Sequence, residues 1–285
     1  MQAKAECVSC IFNQALRVCQ NVGASQQQTK EVLDAVGQRV KDFDLTQTPP
    51  SIAQWVYELI GKILDKKDLY KTQKLEATIA ATNSIQNLIK QFDSAQDPLL
   101  FALKSSVVGN VIDLASQHNF DLDKEVAEVF DTKFAIDHYK DFKSKFFHAK
   151  SLLIIGDNAG EHIFDSFMLK IFNSLDPDKK YYFATRNRPI INDITYQEAL
   201  QSPLVDLCEV INSGVNTPGL EISQASDQFL QLLSSADLVI AKGMGNYESL
   251  GYKAGREVFH LLKVKCNVVA HDLRKEVGDI IFAKL

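Results

Sequence analysis

The sequence is short of several things, and each shortage excludes something. No apolar run approaches the roughly 20 residues that cross a bilayer. The first residues, Met1 to Cys7, lead into polar amphipathic sequence rather than an apolar signal core. A soluble, cytoplasmic protein with no membrane partner is the expectation. Basic residues are nowhere clustered, and 31 Lys and Arg against 36 Asp and Glu leave a net charge of −5. Phosphate-backbone binding needs clustered cations, so no nucleic-acid partner is expected. The 5 cysteines are an odd count with no secreted framework, which predicts free thiols. The 6 histidines form no His-x-x-x-His pair. No Gly-rich turn follows the first apolar strand and no Walker spacing occurs. What remains is 46% hydrophobic, 24% charged and 9% aromatic, enough for a sizeable core.

Character changes near residue 150. Residues 1–148 read as an all-helical region with no alternating β-branched run. Helical periodicity covers Cys7 to Gln20, Gln26 to Phe43, a segment opened by Pro49-Pro50-Ser51, Tyr70 to Phe92, Pro98 to Ser116 and Ala135 to Ala149. Residues 149–285 become short apolar runs separated by helices. Ser151–Ile155, Lys180–Ala184, Leu204–Cys208, Leu238–Ala241 and Val258–Leu262 read as strands, with Val268–Ala270 and Ile280–Phe282 as weaker candidates. Helices are expected over Glu161–Phe172, Ser223–Leu233 and Asn246–Lys253. Buried strands alternating with helices predict an α/β fold, a Rossmann-like, mainly parallel sheet with helices on both faces. Ligands of such sheets bind beyond the carboxyl ends of the strands.

Polar residues collect at those ends. The first strand runs into Gly156-Asp157-Asn158-Ala159-Gly160-Glu161, whose oxygen donors suit a hard divalent cation; the plain alternative is a helix cap. The second strand leads to Asn192-Asp193 before Thr195, so Asp157, Asn158 and Asp193 can share one metal. Asn212-Ser-Gly214 through Gly219 offers backbone amides to an anion, although most such loops are turns. The fourth strand ends in Lys242-Gly-Met-Gly-Asn246-Tyr-Glu248, a lysine and a helix start suited to phosphate. Cys7 and Cys10 share a helix face, but no second Cys pair or His pair completes a zinc site, so packing is the expected role. Asn110 and Asp113 share one face of an apolar helix and either brace the two regions or reach the site.

The ordered set resembles the metal-dependent damage-control phosphatases, a family long known as a domain of unknown function with one member described as an acidic-residue methyltransferase. Cys7-Val-Ser-Cys10 is similar to the N-terminal motif of its prokaryotic-type subgroup, and Gly109-Asn110-x-x-Asp113 to a second element. The resemblance covers most of the chain. It implies metal ligation by Asp157, Asn158 and Asp193 and phosphate contact by Lys242; Asn110, Asp113, Asn246, Asn212 and Gly214 are further candidates for substrate contact. Asp157, Lys242 and Glu161 are the catalytic candidates, with Asp157 either ligand or nucleophile. The implied activity is hydrolysis of small phosphate monoesters, such as sugar phosphates or damaged phosphometabolites, with Mn²⁺, Mg²⁺, Co²⁺ or Ni²⁺. Its partner is then a small phosphorylated metabolite, and the oligomeric state stays open. A Rossmann-like methyltransferase and a non-catalytic phosphometabolite-binding module are the competing readings.

Overall fold

A computed structural model of the chain describes residues 1–111 and 128–285. Helices Ala5–Asn21, Gln26–Arg39 and Pro49–Ile63 form a small bundle. Local chemistry sets their ends. Ser25 and Gln28 close a reciprocal capping box, and Thr48 caps a helix that opens on Pro49 and Pro50. The bundle buries Ile11, Ala15, Val18, Val32, Val36, Val56 and Ile60 in a core of its own. Two further helices, Lys71–Phe92 and Pro98–Val111, connect it to the sheet.

The sheet has seven strands: β1 Ile136–Asp137, β2 Ser151–Ile155, β3 Lys180–Thr185, β4 Glu209–Asn212, β5 Leu238–Lys242, β6 Phe259–Lys263 and β7 Ile280–Lys284. Their order is β1-β7-β6-β5-β2-β3-β4, and every neighbouring pair is parallel except β6 with β7. From β2 the chain steps outward to β3 and β4, then crosses back to β5 on the other side. The crevice outside the carboxyl ends of β2 and β5 is therefore the switch point where an open α/β sheet binds its ligand. β2 and β5 are buried almost throughout, as central parallel strands must be.

Helix Glu161–Leu175 covers one face and packs against helix Pro98–Val111. Gly109 permits that approach: a Cβ there would lie 2.9 Å from the Phe164 ring and 3.0 Å from the Glu161 Cα. The Gly109 motif is thus a helix contact as well as a sequence signature.

The Rossmann-like expectation holds, and five local expectations need correction. Leu204–Cys208 is not a strand, because Ser202 and Pro203 start a 3₁₀ turn at Pro203–Asp206 and the strand follows at Glu209. Val268–Ala270 belongs to helix Asn267–Leu273, capped by the Cys266 thiol. A run of three apolar residues is too short to separate helix from strand. The helix expected over Ala135–Ala149 shrinks to Tyr139–Phe146. Before it β1 pairs with β7, so the first half is not free of strands. The helix expected to start at Asn246 begins at Gly243 and ends at Leu250. Among the described residues no helix is long and apolar enough to cross a membrane.

His260 on β6 is fully buried, stands edge-on to the Tyr247 ring, and among the described residues has no hydrogen-bond partner on either ring nitrogen. Burial lowers its pKa to about 3. The unfolded chain then binds a proton near pH 6.5 that the native state refuses, so this group's contribution to stability falls as pH drops below 6.5. His260→Phe should lessen the acid sensitivity, recovering about 2 kcal/mol at pH 5 relative to pH 7.5. Urea unfolding at the two pH values checks this, and an unchanged pH dependence would refute it.

Candidate active site

Two loops meet at the switch point. The loop after β2 carries Asp157 and Asn158; the loop after β3 carries Asp193. Backbone bonds zip them together: Ala159 N–H donates to the Asn192 carbonyl at 2.8 Å and Ile194 N–H to the Asp157 carbonyl at 2.9 Å. Asn158 and Asp193 form an antiparallel bridge between them. The Asn158 amide nitrogen donates to Glu161 Oε1 at 2.7 Å and to Asp157 Oδ2 at 3.2 Å. Among the described residues its oxygen accepts no hydrogen bond, and two carboxyls and one amide oxygen are gathered in one place.

Arg186, at the end of β3, holds the group from beneath. It is 1% exposed, and its Nε donates to Asp193 Oδ2 at 2.8 Å while Nη2 donates to Asn246 Oδ1 at 2.9 Å. Asn246 Oδ1 also accepts the Leu220 N–H at 3.0 Å, and its Nδ2 donates to the carbonyls of Gly156 at 3.0 Å and Lys242 at 2.7 Å. One buried amide thus ties together the segments after β2, β3, β4 and β5.

Gly243 opens the next helix at φ +76°, a conformation that L side chains rarely adopt. A Cβ there would fall 1.8 Å from Asp157 Oδ2. The glycine lets the Asp157 carboxyl lie directly against the helix start.

Lys242 is fully buried and lies behind this group, away from the cavity wall. Its ammonium donates to Asp165 Oδ1 at 2.7 Å and to the Ser106 carbonyl at 3.3 Å, with Glu161 Oε2 at 3.9 Å. Ser106 Oγ donates to the same Asp165 oxygen at 2.6 Å. The expected Lys242–phosphate contact is therefore not the geometry found; the charge is spent on Asp165 and Glu161. Burial acts to discharge it, yet those two carboxyls hold the ammonium above its ordinary pKa.

Four buried carboxyls, Asp157, Glu161, Asp165 and Asp193, face two buried cations, Arg186 and Lys242. Lys74, another buried cation, is taken by Asp68 and Glu198 at 2.7 Å each. Burial, then Glu161 and Asp193, push Asp157 well above the usual carboxylate range. Asp193 rises to about 6, chiefly through burial, with Arg186 opposing. Among the described residues no three His, Cys, Asp or Glu side chains are arranged to hold a metal ion. The candidate set differs in counting an amide oxygen beside the two carboxyls.

Asp157, Asn158 and Asp193 line a cavity of about 640 Å³, together with Met244, Gly245, Glu248 and Lys265. Ile11, Pro49, Pro50 and Ala53 form its helical wall. Cys7, Cys10 and Cys266, all free thiols, also line it, so the Cys-x-x-Cys pair is beside the site and not merely in a core. Asn246 is saturated with bonds and stays out of the cavity. Asn212 and Gly214 are outside it too: the Gly214 N–H is taken by Asn212 Oδ1 at 2.9 Å, and the Asn212 amide donates to Asn187 at 3.0 Å. That loop spends the expected anion-binding amide on itself. Asp113 and the side chain of Asn110 lie outside the described residues.

Sequence reasoning assigned no role to Arg186, Asp165 or Ser106. Asp165 was reachable, since it lies four residues after Glu161 on one helix face. Arg186 carried only its place at a strand end, and nothing in the pattern marked Ser106.

The family model for the damage-control phosphatase ARMT1-like domain matches residues 3–281. The chain belongs to this family. It is 28% identical to damage-control phosphatase PH1575 of Pyrococcus horikoshii, over 99% of this chain and 97% of that one. A damage-control phosphatase of Archaeoglobus fulgidus is 27% identical over 81% and 80% of the two chains. The crystal structure of PH1575, a DUF89 family protein, superposes with a TM-score of 0.90 at 26% identity, covering 100% of this chain and 99% of that one. Membership and the named relatives support a phosphatase role, and the solved fold is the one described above.

Removing Arg186 should uncover two acceptors at once and leave Asp193 buried without its partner. Arg186→Leu should cost about 3–5 kcal/mol in urea unfolding. Arg186→Lys should restore only part, because one ammonium cannot reproduce the fork. A loss under 1 kcal/mol in Arg186→Leu would contradict this role.

Proposed function

We propose that the protein is a metal-dependent phosphatase acting on small phosphate monoesters. The observation that carries this reading is the excess of buried carboxyls at the switch point, beside a helix start. Asp157, Asn158 and Asp193 would hold a divalent cation, and their hard oxygen donors suit Mg²⁺ or Mn²⁺, with Co²⁺ and Ni²⁺ as further candidates. When bound, such an ion supplies Lewis-acid polarisation of a phosphoryl oxygen and acidifies a bound water.

The chain's own residues do the rest. The first turn of helix Gly243–Leu250 has no side-chain cap, and its amides and dipole favour an anion there. Arg186 orients Asp193. Lys242 lies one layer deeper, and its charge keeps Glu161 and Asp165 from competing with the incoming phosphate. Lys265, exposed at the cavity rim, supplies a second attraction for the anionic substrate. The apolar wall of Ile11, Pro49, Pro50 and Ala53 takes the part of the substrate beyond the phosphate.

Titration calorimetry with Mn²⁺ tests the ligand set independently of turnover. Wild type should bind one ion, and Asp157→Asn and Asp193→Asn should each weaken binding at least 100-fold while the far-ultraviolet circular dichroism is unchanged. Phosphate release from a small phosphomonoester should stop with EDTA and return with Mn²⁺. Unaltered Mn²⁺ affinity in both variants would overturn the assignment.

A further inference from the structure

Glu248 stands out among the groups around the cavity because nothing in the site has yet used it. It lies on helix Gly243–Leu250, one turn and a half past the residue that abuts Asp157. Met244, Gly245 and Glu248 all line the cavity, so this carboxyl sits on the helix face that looks into it. Five residues of helix rise place its Cα about 7.5 Å along the axis from Gly243. Asp157 and Asp193 line the same cavity as Glu248. A phosphate held at the helix start, where Gly243 abuts Asp157, would have Glu248 among the cavity groups available to its ester oxygen.

Its surroundings suit a group that works as an acid. The side chain is half-buried and makes no hydrogen bond or ion pair among the described residues. The groups facing it are the Met1 ammonium, whose nitrogen donates to the Glu248 carbonyl, and the thiols of Cys7 and Cys266. Burial pushes its carboxyl up to about 7, with the ammonium opposing, so a large fraction holds its proton near neutral pH.

We propose that Glu248 is the general acid that protonates the leaving oxygen of the phosphate ester. This rests on the phosphatase reading above. An oxygen nucleophile forms a new bond to phosphorus as the bond to the ester oxygen breaks. The electron pair of the breaking bond stays on the ester oxygen, which takes the Glu248 proton and departs as an alcohol. Over the full hydrolysis one water is consumed: its hydroxyl remains on the released phosphate and its other proton restores Glu248.

The dependence on leaving group separates this role from a structural one. Glu248→Gln keeps the size and the hydrogen-bonding capacity but cannot give up a proton. On alkyl phosphates such as glycerol phosphate, whose alkoxide leaves poorly, kcat should fall about 100-fold, within the usual range for a general acid. On p-nitrophenyl phosphate, whose phenolate needs no proton, it should fall less than about threefold. Mn²⁺ affinity by calorimetry should match wild type. Equal losses on both substrates, or no loss on either, would overturn the proposal, as would a loss of Mn²⁺ affinity, which would make Glu248 a ligand. Should wild type itself release no phosphate from either substrate, the phosphatase reading fails and this assignment falls with it; the variant comparison judges Glu248 only once wild-type turnover is measured.

Discussion

The structure turns on one constraint: four carboxyls, Asp157, Glu161, Asp165 and Asp193, are buried together at the switch point with the cations Arg186 and Lys242. Arg186 is bonded to Asp193 and Lys242 to Asp165, and all four carboxyls are buried within the same few loops and helix starts. Keeping such groups out of water is costly, so the surrounding loops are pinned unusually firmly. The Asn246 amide, the bridge between Asn158 and Asp193, and the Gly243 turn are the pins. Each removes a way for the carboxyls to move apart and relax.

That constraint also explains why the helical region cannot be regarded as a mere attachment. Ser106 of helix Pro98–Val111 donates to Asp165, and its carbonyl accepts from Lys242. A helix from the first half thus completes the hydrogen bonding of the charged group in the second. Elsewhere Thr48 and Ser51, at the start of helix Pro49–Ile63, both donate to Glu221 beyond β4. The two regions are joined by polar contacts at the level of the site as well as by apolar packing.

Much of this was legible in the sequence, for identifiable reasons. The buried strands Ser151–Ile155, Lys180–Thr185 and Leu238–Lys242 are continuous apolar runs with polar ends, and such runs are hard to mistake. Asp157, Asn158 and Asp193 were marked by strand-end position, a local property. Lys242 was marked in the same way, but local position does not say where a long side chain turns. Its direction depends on Asp165 and Ser106, which are far apart in sequence and reach it only through the packing of two helices. The Asn212 loop failed for a related reason: an Asn side chain can satisfy the very amides that an anion would need. Leu204–Cys208 shows that apolar composition yields to a Ser-Pro start when the run is short.

The cavity has walls of two different kinds. The sheet edge contributes the charged floor, whose residues are locked to one another and can change only together. The helical layer contributes Ile11, Pro49, Pro50 and Ala53, whose side chains are apolar and carry neither charge nor hydrogen-bonding group. Substitutions on that wall can reshape what fits without altering how it reacts. Chemistry and selectivity are therefore separately adjustable in this architecture, and relatives that share the floor are free to diverge in diet.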